Sequence, residues 1–324
     1  MKAVAKGRGL EQIRRRWLAK PKPIGGIKVM LQHCLLLQDL GYKATAVRMG
    51  EYEGNFFDYP IVSKHFSEIS TNLSDGDVVV CPEICPSVAN RFQGGKKIIF
   101  VQNWVHLYQN NRFYGEKIYG PYTENGFDMV MCCSQYLTEK LKGEPADKVT
   151  VVNNFIDLKC FTRDDSKRIT GRVLALPRKN RHDLNRIMNI LKDDKIDFRL
   201  VDRLSQKELI REYQAADIFL ATGYPEGFGL PPLEAMACGA AVVGFTGGGA
   251  NPFMINEKTA LVAADGNCEQ AAENLRRVLS NPTLKEKLRA EGSLIARHYT
   301  EPRTRSDLSR VFENLLSSRQ AQKT

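Results

Sequence analysis

Nothing in this 324-residue chain approaches the roughly 18-residue apolar run that a membrane-spanning helix needs. No apolar segment ending in a small-residue cleavage site opens it either, so the expected compartment is the cytoplasm. Eight cysteines are present without one Cys-x-x-Cys pair, which removes the usual zinc frameworks. Cys34, Cys81, Cys132 and Cys238 lie inside apolar runs, where a reduced thiol is a small core residue. No Asp-x-Asp stands at the carboxyl end of an expected strand, so neither a metal nor another cofactor is expected.

Acidic residues are scarce in one place only. Met1 to Lys28 holds nine Lys or Arg against the single Glu11, so the formal charge of +10 is almost all leader. A nucleic-acid-binding domain would spread that charge over a folded face, and no nucleic-acid partner is expected. Leu10, Ile13, Trp17 and Leu18 recur there at near-helical spacing. Two readings stay open: an amphipathic helix resting peripherally on an anionic inner membrane face, or a solvated arm.

What is present is a soluble composition, 43% hydrophobic and 26% charged, long enough for two domains. Short apolar runs (Ala44 to Met49, Asp77 to Cys81, Lys97 to Gln102, Met129 to Cys133, Lys148 to Val152) alternate with helical stretches such as Ile27 to Leu40 and Gln135 to Leu141. The polar, aperiodic "TRDDSKRITGR" reads as a linker, and the alternation restarts at Val173. Strands alternating with helices predict parallel sheets with helices on both faces. The expected division is a basic leader over 1–22, a Rossmann-like domain over 23–163, a second Rossmann-like domain over 164–300, and a C-terminal helix over 301–324. Leu308, Val311, Phe312, Leu315 and Leu316 line one side of that helix, which is expected to pack back towards the first domain.

The chemistry concentrates in "YPEGFGLPPLEAMACGAAVV", Tyr224 to Val243. Pro231 and Pro232 suit a helix start and Gly239 its end, which predicts a helix over Pro231 to Cys238 with Glu234 in its first turn. A carboxylate there is placed to accept two hydrogen bonds from a diol. Glu226 precedes the helix on the loop leaving the strand Ile218 to Ala221, and "GFG" between them lets backbone N–H groups turn towards a phosphate. Each feature alone fits ordinary helix capping; their coincidence at a strand exit points to ligand binding. Arg178, Lys179 and Arg181 crowd the exit of the second domain's first strand, in reach of an anion in the same crevice. Glu83 stands at a further strand exit, in "CPEIC".

"EGFGLPPLEAMACGAAVV" resembles the E-x7-E motif of glycosyltransferase family 4, retaining nucleotide-sugar transferases of the GT-B fold. Three other segments look like family landmarks in the right order: "PIGGIKVMLQHCLLLQDLGY", "VMCCSQYLTEKL" and "VVNNFIDLKCF", the last with Phe155 in place of a glycine. The resemblance covers Pro23 to about Leu316. It implies two doubly wound domains facing across a cleft, and transfer of a hexosyl unit from a nucleotide diphosphate to a glycan, lipid-linked or small-molecule hydroxyl. Retention is then a front-face reaction, with Arg178 and Lys179 meeting the diphosphate charge instead of a metal. Glu226 would bind donor-sugar hydroxyls and Glu234 the ribose diol. Gly227, Phe228, Gly229 and Leu230 would contribute backbone to the phosphate-linked part, with Gly25 and Gly26 approaching from the other domain.

The chain departs from the pattern at several points. Asp183 stands five places after Arg178 where the family has Lys. Asn103 stands near the expected position of a histidine, with His106 slightly later, so either could serve the donor sugar. Asn251 and Pro252 follow "FTGGG" where a glutamate is usual. Trp104, Tyr108, Phe113 and Tyr114 are candidates for an acceptor-stacking wall. Two alternatives share the fold: a GT-B sugar-nucleotide epimerase or hydrolase, and a catalytically degenerate nucleotide-sugar-binding protein.

Overall fold

The structure, a computed structural model, describes residues 25–49, 59, 61, 63–107 and 120–317. The basic leader, the segment that begins the predicted glycine loop, and Tyr108, Phe113 and Tyr114 lie outside them.

In the first domain, helix α1 (Gly25–Asp39) is followed by a short parallel pair, β1 (Val47–Arg48) and β2 (Lys64–His65). A four-stranded parallel sheet then runs in the order β3 (Val78–Pro82), β4 (Lys96–Val101), β5 (Met129–Cys132), β6 (Val149–Val151). Ile98, Ile99, Phe100 and Val101 are fully buried, so β4 reads as a continuous apolar run, as a strand covered on both faces must. The predicted strand Ala44 to Met49 shrinks to the two residues that find partners in Lys64 and His65. The predicted helix Gln135 to Leu141 is the short α2 (Gln135–Thr138).

The second domain holds β7 (Val173–Ala175), α3 (Arg181–Ile190), β8 (Phe198–Leu200), α4 (Gln206–Ala215), β9 (Ile218–Ala221), α5 (Leu230–Ala237), β10 (Ala241–Phe245), β11 (Ala260–Ala263) and α6 (Cys268–Ser280). Its sheet is all parallel in the order β11-β10-β9-β7-β8. The chain leaves β7 for β8 on one side and returns to β9 on the other, which makes the β7/β9 gap a topological switch point. The pleat sorts the core in alternate residues. Val173, Ala175, Ile218, Leu220, Ala241, Val243 and Leu261 form one layer with Leu184, Ile187 and Leu275 of the helices. Leu174, Phe219, Val242 and Ala260 form the other, which is continuous with the core of the first domain.

Two last helices close the molecule. In α7 (Pro282–Ala296), Asn281 caps the start by accepting from Leu284 N at 2.9 Å. Helix α8 (Glu301–Ser317) buries Leu308, Val311, Phe312 and Leu315. It crosses back onto the first domain: Phe312 meets Tyr42 at 5.5 Å, Arg305 pairs with Asp39 at 3.1 Å, and Thr304 Oγ1 donates to Asn153 O at 2.8 Å. The segment read as a loose linker is pinned. Arg168 donates to Cys238 O at 3.1 Å, Arg163 to Glu286 at 3.0 Å, and Asp165 accepts from Arg289 at 2.5 Å.

Candidate functional site

The loops leaving β7 and β9 meet at the switch point, where open parallel sheets hold their ligands. Asn180 in the left-handed region (φ 50°) precedes α3, and Gly229 (φ 74°) precedes α5. At Gly229 a Cβ would lie 2.0 Å from Asn251 Oδ1, so both the conformation and the space demand glycine. Pro231 and Pro232 lie in the first turn of α5 as predicted. Glu234 does not, because the helix begins at Leu230 and carries no acidic residue in its first turn. It is the fifth helical residue, one turn in.

The two loops are sewn together. Tyr224 N donates to Asn180 Oδ1 at 3.0 Å, and Tyr224 OH to Asp183 Oδ2 at 2.6 Å. Lys179 Nζ lies 2.8 Å from Glu226 Oε1 and donates to Pro225 O at 3.0 Å. Glu226 N in turn donates to Gly247 O at 3.2 Å. Arg178 and Arg181 are exposed at the β7 exit and at the first residue of α3. A small pocket of about 60 Å³ opens beside Arg178, lined by Leu176, Val201, Leu204 and Leu209.

The first domain presses on this loop directly. A Cβ on Gly227 would lie 1.8 Å from Gln102 O and 3.2 Å from Asn103 Cα, while Ser134 Oγ donates to Gly227 O at 2.6 Å. Gly26 and Gly25 sit at the start of α1, their Cβ positions 3.3 Å from the Gln102 amide and 3.8 Å from Leu230 Cδ1. Asn103 Oδ1 caps the turn Trp104–His106 by accepting from Val105 N at 3.1 Å, which ties up its carbonyl end. His106 faces this region: partial burial first, and the Lys179 charge second, hold its imidazole below the ordinary range. Gly25 and Gly26 thus meet Leu230 and Gln102, Gly227 meets Gln102 and Asn103, and Lys179 links Glu226 to the neighbourhood of His106. Phe228 itself points into the core against Phe253 and Tyr299, leaving its backbone to face the loop.

Glu234 is held across the domain boundary. Its Oε1 lies 2.9 Å from Lys28 Nζ, both side chains being more than nine-tenths buried, and its Oε2 accepts from Tyr213 OH at 3.2 Å. Burial first, and the Glu234 charge second, push the Tyr213 phenol well up. Sequence reading counted Lys28 only as part of the basic leader and passed over Tyr213. No spacing rule links positions 206 apart.

Glu83, at the exit of β3, is 3% exposed, and its Oε2 has no hydrogen-bond partner among the described residues. Burial raises its carboxyl from 4.5 to about 7, against backbone N–H groups of Glu83, Gln102 and Asn103 that pull the other way. A carboxyl raised in the folded state contributes stability that is full below about 4.5 and is lost as pH rises through about 7. Glu83→Gln is therefore expected to be more stable than the parent at pH 8, by about 3 kcal/mol at ~1.4 kcal/mol per unit. The gain should vanish towards pH 4.5. Melting curves at pH 5 and pH 8 check this; an equal shift at both would mean that Glu83 does not titrate between them.

Among the described residues no group of three His, Cys, Asp or Glu could hold a metal ion, and no helix is long and apolar enough to cross a membrane.

Residues 176–294 match the family model for glycosyl transferases, group 1. A D-inositol 3-phosphate glycosyltransferase of Saccharomonospora viridis is 29% identical over 112 residues, which is 35% of this chain and 26% of the relative. One from Salinispora tropica is 37% identical over 101 residues, 31% of this chain and 21% of the relative. The chain thus spans about a quarter of the length of the curated relatives it matches. Among solved structures, Anabaena Alr3699/HepE in complex with UDP-glucose superposes with a TM-score of 0.58 at 15% identity, covering 75% of this chain and 79% of the other. The fold is GT-B, two Rossmann-like domains each built on a parallel sheet.

Proposed function

We propose that the chain is a retaining glycosyltransferase that moves a sugar from a nucleotide diphosphate to a hydroxyl acceptor without a metal. One observation supports this reading: the starts of α1 and α5, from different domains, meet at Gly25 and Leu230, and the loop that leads into α5 carries Glu226 paired with Lys179 of the β7 loop. Helix starts present unpaired N–H groups and the positive end of the helix dipole, and the β7 loop adds fixed cations. That is what a departing diphosphate requires. In this reading the nucleobase enters the pocket beside Arg178, Glu234 receives the ribose diol, and Glu226 receives donor-sugar hydroxyls. Asn103 Nδ2 or His106 faces the donor sugar from the acceptor side.

The reaction then needs positioning more than a strong base. The acceptor oxygen attacks the anomeric carbon on the face from which the phosphate departs. The bond from that carbon to the phosphate oxygen breaks as the bond to the acceptor forms, and the acceptor proton passes to the departing phosphate. Lys179 has to exchange Glu226 for a phosphate oxygen, a short move for a flexible stem.

Thermal melts with UDP-glucose, GDP-mannose and ADP-glucose are expected to single out one nucleotide. At 100 times its Kd, that ligand stabilises by about 2.7 kcal/mol. Release of the nucleotide diphosphate should then depend on an added acceptor. If none of the three moves the melt, the donor site is misread; if the sugar is released or epimerised without an acceptor, the protein is an epimerase or hydrolase.

A further inference from the structure

We propose that Lys28 is a diphosphate-binding residue, held on Glu234 until the ribose of an incoming nucleotide takes that carboxylate. The proposal rests on the donor reading above. Lys28 lies in the first turn of α1, three residues after Gly25, so its backbone belongs to the helix start that meets Leu230 at the start of α5. Its ammonium crosses to the second domain and engages Glu234 Oε1 at 2.9 Å, while Tyr213 engages Oε2. Each oxygen still has a lone pair to offer, but the residue is 5% exposed, so a ribose diol reaches Glu234 by displacing one of the groups that cover it.

The two partners are not equally movable. Tyr213 is fully buried, packed against Phe161 and Phe219, and has no room to withdraw. Lys28 carries its charge on a flexible four-carbon stem, and the Phe161 ring lies 5.0 Å from its Nζ, so the ammonium keeps an electrostatic partner as it moves. Leaving a buried charge unpaired is costly, so the ammonium moves only if the ligand itself brings negative charge. A diphosphate does, on the atoms next to the ribose. A nucleoside without phosphate does not, so it must break the pair without compensation. Lys28 thereby couples the ribose contact to the diphosphate and favours nucleotides over nucleosides.

The test compares UDP with uridine, GDP with guanosine and ADP with adenosine by calorimetry, using the pair whose nucleotide binds the parent protein. Lys28→Met is expected to weaken the nucleoside diphosphate at least 10-fold while leaving the nucleoside unchanged or tighter, because the competitor for Glu234 is gone. Lys28→Gln, which keeps a hydrogen bond to the carboxylate, should give the same divergence if the methionine variant does not fold. Lys28→Arg, which keeps the cation, should stay within about 3-fold of the parent for both. Equal weakening of nucleotide and nucleoside in the uncharged variants, or no change in either, overturns the proposal. Glu234→Gln separates this failure from that of the donor reading. If it weakens nucleotide and nucleoside alike, the ribose contact stands whatever Lys28 does; if it changes neither, the ribose assignment itself falls.

Discussion

Gly227→Ala is expected to lower sugar transfer by about 100-fold or more while leaving the secondary structure of both domains in place. The added Cβ would lie 1.8 Å from Gln102 O, so two stretches of backbone have to part by more than an ångström. Gln102 cannot easily yield. It follows directly on β4, whose last four residues are fully buried, and its carbonyl accepts from Cys133 Sγ at 3.7 Å. The second domain's loop has to move instead, which breaks the 2.6 Å hydrogen bond from Ser134 Oγ to Gly227 O and carries Glu226 and Phe228 away from Asn103. Misplacing a reacting group by about 1 Å costs on the order of 10²-fold. Gly223→Ala is the contrast: its Cβ meets the end of the Glu226 side chain at 3.1 Å and Lys179 Cδ at 4.0 Å, so it disturbs the donor-sugar carboxylate but leaves the contact between the domains in place. Circular dichroism and initial transfer rates on both variants check this. If Gly227→Ala keeps more than a tenth of the parent rate, the domains work further apart than this contact places them.

The contrast between these two glycines marks how far sequence alone reaches. Both sit in one glycine-rich bend at a strand exit, and the bend was legible because Ile218 to Ala221 is an uninterrupted apolar run before it and two prolines follow it. Strands β7, β9 and β10 were legible for the same reason: each is buried on both faces, so burial imposes an unbroken apolar string. The docking side of α8 was legible from its period. What lay beyond reach depends on partners distant in the chain. The stretch 162–172 is polar because its side chains pair with other elements, Arg168 with Cys238 O and Asp165 with Arg289, and composition cannot tell that from solvation. Glu234 was misplaced by about a turn's edge because α5 takes in Leu230. Its partner Lys28 was hidden in a cationic leader from which nothing in its neighbours sets it apart.

Glu234→Ala is expected to destabilise the protein by about 3–5 kcal/mol, the usual cost of removing one member of a buried ion pair. The loss is large because it leaves two groups behind. Lys28 keeps a buried ammonium beside the Phe161 ring, without its carboxylate, and the fully buried Tyr213 hydroxyl loses its acceptor. On a total stability of roughly 5–15 kcal/mol for a folded domain, the melt should fall by on the order of 10 °C. The double change Lys28→Met with Glu234→Leu is expected to recover most of that loss, since apolar replacement of both partners removes the desolvation cost along with the attraction. Recovery would locate the cost in the stranded charge rather than in the helix. Both variants should lose nucleotide binding regardless of stability, because the carboxylate that would receive the ribose is gone from each. Stability and binding therefore part company in the double variant alone, and that separation tells a ligand-binding carboxylate from a purely structural tie. A Glu234→Ala loss below about 1 kcal/mol would mean that water reaches the Lys28 ammonium and that the two domains do not seal over this pair in solution.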